Sequence, residues 1–131
     1  MFRRRRFNSS GAAPAKPKDD GLPVYDRADA LSRIADDEEL LATLIDMFVA
    51  DAPTYLTDIE SALRAADWNH LTRAAHTIKG VLATFSARRG EASARDLEQA
   101  AKAGDAVACA GHAASLRTEV DLFIKTLALN S

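Results

Sequence analysis

Between Asp67 and Ala87, apolar residues recur at Leu71, Ala75, Ile78, Leu82 and Phe85, in steps of four, three, four and three. That rhythm belongs to a helix with one packed face, because it follows 3.6 residues per turn rather than the alternation of a strand. At 100° per residue the stripe stays within roughly 40° of Leu71. On the same wheel His76 falls at about 140°, Lys79 at about 80°, Ala83 at about 120° and Gly80 at about 180°. The imidazole therefore points off the packed seam, with a lysine three residues on and a glycine four residues on.

The same rhythm runs through the chain on either side. Asp26 is placed to cap a short helix reaching about Ile34, with Val24, Ala28 and Leu31 inward. Asp36 or Asp37 then caps a long helix with Glu38 and Glu39 in its favourable first turn. Its stripe is Leu41, Leu44 or Ile45, Phe48, Ala52, Tyr55, Ile59 and Leu63. Pro53 lies inside that stripe; it lacks an N–H and its ring clashes with the carbonyl of residue 49, so a kink is expected there rather than a clean break. Asp67 is the expected cap of the histidine-bearing helix, and Ser86 that of the next, which runs to about Ala103 with Ala87, Ala94, Leu97 and Ala101 inward. Gly104-Asp105 reads as a stop followed by a cap, and the last helix carries Cys109, Ala113, Leu116, Val120, Phe123 and Leu127. Four long amphipathic segments joined by short turns predict an all-α fold. Its architecture is an antiparallel four-helix bundle over residues 24–131 with a short additional N-terminal helix.

Charge separates the beginning of the chain from the rest. Residues 1–20 carry six Arg/Lys and two acids, hence +4, whereas the other 111 residues carry 11 bases and 17 acids, hence −6. Residues 1–23 have no apolar periodicity and read as a disordered basic extension, with Arg3 to Arg6 flanked by Phe2 and Phe7. An acidic folded part argues against duplex nucleic-acid binding, which needs a basic face. One cysteine, Cys109, excludes an internal disulfide and a cysteine-rich metal site. No uninterrupted run approaches 18 apolar residues, and no apolar segment follows the N-terminal arginines as in a secretory signal. A cytoplasmic protein, or the cytoplasmic part of a longer one, and a monomer are the expectations.

The residues His76-Thr77-Ile78-Lys79-Gly80, preceded by Ala75 and following a long helix that ends in Ala62-Leu63, resemble the histidine-containing phosphotransfer domain of two-component phosphorelays. The resemblance covers roughly residues 26–129. It includes Phe48 and Pro53, Leu97-Glu98 and Gly104-Asp105, with Ser86-Ala87 standing where such domains usually carry a glycine and a small residue. It implies that His76 accepts a phosphoryl group from a receiver-domain aspartyl-phosphate and passes it to another receiver. Lys79 would offset phosphate charge and Gly80 would leave room for the partner. It also implies that the domain binds no cofactor and has no independent turnover. The Mg²⁺ is expected in the partner receiver, and a hybrid histidine kinase is a further expected partner.

The chemistry is intelligible from the residues. Imidazole supplies a nitrogen nucleophile that is partly neutral near pH 7. It must protrude to reach a phosphoryl group held in another protein, and a glycine on the adjoining turn lets that protein approach. Lysine acts as a mobile point cation, so Lys79→Ala is expected to slow transfer with little loss of stability. Thr72, Arg73 and Ala83 on the same helix, with Ile45 and Val49 on the long one, are the expected partner interface, and Phe48 is expected in the core. Thr77 is expected to bond the local backbone. Glu98 with Lys102 reads as a surface i,i+4 pair, Cys109 as a small hydrophobe, and Arg88, Arg89 and Arg95 as solvent-facing charge. His70 and His112 lack metal-ligand spacing. The alternative function is a non-phosphorylated helical module that docks on a receiver or another signalling protein.

Overall fold

The computed structural model describes residues 21–129; the basic extension proposed for 1–23 falls outside them up to residue 20. Five helices follow in order: α1 (Arg27–Ser32), α2 (Glu38–Arg64), α3 (Trp68–Thr84), α4 (Arg88–Lys102) and α5 (Ala106–Leu129). Among the described residues there is no strand. The four long helices form a ring in which α2 meets α3, α3 meets α4, α4 meets α5 and α5 meets α2, while α1 rests on α2.

Local chemistry sets the helix starts. Asp26, Asp37 and Asp67 accept through a side-chain oxygen from the backbone N–H of Asp29, Leu40 and His70, at 3.0, 3.0 and 3.1 Å, and Asp105 does the same for Ala108 at 3.1 Å. Ser86 does not cap α4. The cap residue is Ala87, with no side-chain bond, while the Ser86 hydroxyl donates to Asp29 instead.

The ends share one device. In the turns after α2, α3 and α4, the residues Ala66, Ser86 and Gly104 have φ of 53°, 55° and 66°. Each donates its N–H to the carbonyl three residues back, and the next residue donates to the carbonyl five back, as in Ser86 to Ala83 at 3.0 Å and Ala87 to Leu82 at 3.1 Å. Three-residue connections closed this way force neighbouring helices to run antiparallel.

The stripe predicted for α3 is the floor of the core: Leu71, Ala75, Ile78 and Leu82 are fully buried and Phe85 nearly so. Phe48, Phe85 and Phe123 meet with ring centroids 5.3–5.6 Å apart, and Tyr25 adds an edge contact to Phe123 at 5.4 Å. Such pairs each add about 0.5–1.5 kcal/mol beyond burial. Helix α4 contributes small inward residues, including Gly90, Ser93, Ala94 and Ala101. A Cβ on Gly90 would come 3.1 Å from Leu82 Cδ1, so α3 and α4 approach closely there and a larger residue would require Leu82 to shift.

Several details differ from expectation. Ala28 is exposed and Ala30 takes its place, because α1 begins at Arg27 and turns Ala30 and Leu31 inward. In α2, Leu56 and Ala62 are buried, whereas Tyr55 and Leu63 are only partly so, since the helix is flanked by α3 on one side and α5 on the other. Pro53, as expected, does not break α2, which runs on through it. One 18-residue window of α2 is long and apolar enough to cross a membrane, with mean hydropathy 1.2. An average tolerates isolated polar residues that interrupt a run, so the absence of a long apolar run did not reveal it. Leu41, Phe48, Ala52, Leu56, Ile59 and Ala62 pack inward in the bundle, but only 22% of that window is buried, and Leu40, Met47 and Val49 are exposed.

Candidate functional site

His76 projects from the middle of α3, immediately after the fully buried Ala75, with its side chain 67% exposed. Packing of Leu71, Ala75, Ile78 and Leu82 fixes the helix, so the direction of the imidazole is set by the core beneath it. The ring is not isolated. Its Nδ1 lies 3.0 Å from Glu98 Oε2 on α4, and Nε2, on the other edge, makes no hydrogen bond among the described residues.

Glu98 is the residue that sequence reasoning misplaced. The expected i,i+4 pair with Lys102 forms, but Glu98 is not on the surface: only 8% of its side chain is exposed, and it faces two lysines as well as His76. Lys79 Nζ donates to Oε1 at 2.6 Å, and Lys102 Nζ stands 3.7 Å from Oε2, the oxygen that faces His76. Burial by itself raises the carboxyl pKa, but hydrogen bonds from Lys79 and then His76, with their charges, outweigh it, and the net shift is downward. Glu98 is therefore ionised across the physiological range. A carboxylate only accepts, so the imidazole nitrogen facing it must carry the hydrogen. In the neutral ring that leaves the lone pair on Nε2, the exposed nitrogen.

The signal for Glu98 was present. Counting from Ala94, Leu97 lies about 60° back, Glu98 about 40° forward and Ala101 about 20° back, so Glu98 occupies a core position of α4. Its spacing to Lys102 disguised that.

The other expected residues fall as follows. Lys79 is 24% exposed, its stem covered and its amine on Glu98. Gly80 is exposed, and a Cβ there would meet nothing within 4 Å. Thr72 and Arg73 share an open hollow with Trp68, Lys102 and Gly104 beside the histidine's face. Ala83 is half-buried, and Thr77 donates to the Arg73 carbonyl at 3.0 Å. Ile45 and Val49 line a groove made with α5, to which α3 contributes no residue, and Phe48 is in the core.

Of the arginines, Arg89 is not solvent-facing: it pairs with the buried Glu119 at 3.1 Å, tying α4 to α5. Arg88 bridges Asp29 and Glu91, and Arg95 pairs with Glu91. His70 Nε2 lies 2.7 Å from Asp58 Oδ1 and so ties α3 to α2. Cys109 is fully buried, which raises its thiol pKa.

Comparison with curated proteins and with solved structures gives no match. A family model described as the Hpt domain matches residues 43–126, which is 84 of the 131 residues and spans both His76 and Glu98. With an all-helical bundle and an exposed histidine at its surface, the chain belongs to the Hpt domain family.

Proposed function

We propose that His76 Nε2 is the phosphoacceptor of a two-component phosphorelay, taking a phosphoryl group from a receiver aspartyl-phosphate and returning it to another receiver aspartate. The observation that carries this reading is the contact of His76 Nδ1 with the buried, ionised Glu98, which leaves the lone pair on the exposed Nε2. In the forward step Nε2 attacks phosphorus in line, the N–P bond forms, the P–O bond to the aspartate breaks, and the carboxylate leaves. The proton on Nδ1 stays in place, and the ring becomes a cation facing Glu98. Return transfer reverses these events without a proton having to move.

Lys79 and Lys102, both held by Glu98, supply positive charge beside the new phosphoryl group. The divalent ion belongs to the receiver. The receiver contacts Thr72, Arg73 and Ala83 around the histidine, and Gly80 leaves it room. A cytoplasmic setting goes with this reading, since receivers are its partners.

Incubating the purified chain with a phosphorylated cognate receiver and Mg²⁺ should give acid-labile, alkali-stable label that His76→Gln abolishes. Undiminished label in that variant would place the chemistry on another residue. Binding of a receiver without any label, unchanged by the substitution, would favour the docking module.

A further inference from the structure

Away from His76, α2 and α5 leave an apolar groove of about 400 Å³, walled by Leu41, Ile45 and Val49 on one side and by Ile124 and Leu127 on the other. Tyr25 closes one end, and its buried hydroxyl has no hydrogen-bond partner among the described residues. The rim carries Glu38, already paired with Arg27, and Asp46, which has no ion pair among the described residues. We propose that this groove is the docking site of the chain's own segment Phe2–Phe7, whose aromatic rings enter the apolar trough while its arginines meet the acidic α2.

Charge selects this occupant. Helix α2 carries six acids against Arg64 alone; Glu38, Asp58 and Glu60 are met by Arg27, His70 and Arg117, so Asp46 on the rim, with Glu39 and Asp51 on the same helix, is what a cationic segment would meet. A second copy presenting the same helix would meet like charge, whereas residues 1–20 carry +4 and place two phenylalanines around four consecutive arginines. An arginine also offers the donor that the Tyr25 hydroxyl lacks. Tether geometry agrees. The described chain begins at Gly21, four residues before Tyr25 at the end of the groove. The 14 residues from Phe7 to Gly21 span up to about 46 Å when extended. A tether of this kind holds the segment at an effective concentration of order millimolar, so weak contacts suffice. Because the groove has no wall from α3, the docked segment leaves the histidine open.

The test is methyl NMR on the full chain with a nitroxide at Ser9→Cys, in a Cys109→Ala background that removes the buried native thiol. Methyl signals of Ile45, Val49, Ile124 and Leu127 should lose most of their intensity, while those of Ile59 and Leu71 keep theirs. The loss should persist on dilution with excess unlabelled chain. It should be largely reversed by Phe2→Ala with Phe7→Ala, and by replacing Arg3 to Arg6 with glutamine. Groove signals that keep full intensity would overturn the proposal. So would a loss that disappears on adding unlabelled chain, which would assign the groove to another molecule's segment. A loss that survives both sets of substitutions would show that neither anchor acts.

Discussion

Replacing Gly80 with alanine separates stability from transfer, because the structure predicts opposite signs for the two. Gly80 is an exposed helix-interior residue whose added Cβ would meet nothing within 4 Å. The intramolecular effect is therefore helix propensity alone, a gain of about 0.8–1.0 kcal/mol, which for a domain of this size is an increase in Tm of about 3–6 °C. The new methyl lies one turn beyond His76 and about 40° around the helix from it, in the space proposed for the receiver. Displacing the phosphoryl donor there should slow transfer at least about tenfold, equivalent to 1.4 kcal/mol in the barrier. Thermal unfolding by circular dichroism measures the first effect, and rapid-quench transfer from a phosphorylated receiver measures the second. A variant that is more stable yet transfers at the wild-type rate would refute the access role of Gly80; a lower Tm would refute the open space around its Cα.

Three further outcomes follow from Glu98 and from the turns. Lys79→Ala should slow transfer and also cost about 1–3 kcal/mol, because it strips a buried carboxylate of its closest donor. This revises the expectation of little loss of stability, and an unchanged urea midpoint would contradict it. Glu98→Gln should slow transfer while keeping the fold. Because the Glu98 pKa is lowered on folding, its contribution is present above the ordinary glutamate value of about 4.3 and is lost as pH falls below that, through the folded pKa. Urea titrations should then show wild type and E98Q converging in stability as the solution is acidified from pH 5; a constant difference would show that the ionised form is not favoured by the fold. Ala66→Gly should raise stability by about 1 kcal/mol by relieving the left-handed backbone at φ 53°, measured as an increase in Tm.

The turns show where local patterns lose their force. Gly104 was legible as a helix stop because glycine enters the left-handed region freely. Ala66 and Ser86 adopt the same conformation, held by the same bonds to the preceding helix, although neither residue type favours a left-handed backbone and so neither marks the stop. Ser86 looked like a cap because serine usually is one, but its hydroxyl is taken by Asp29, 57 residues away in sequence.

Periodicity by itself determined the helices, the face of α3 that packs and the outward direction of His76, since each depends only on residues a turn or two apart. Tertiary structure decided which nitrogen of that histidine is available, because the deciding atom, Glu98 Oε2, comes from another helix 22 residues on. It likewise turned Glu98 from an apparent surface acid into a buried carboxylate and buried Glu119 as well, for burying an ion requires partners that converge only in space, here Lys79 and His76 for one and Arg89 for the other.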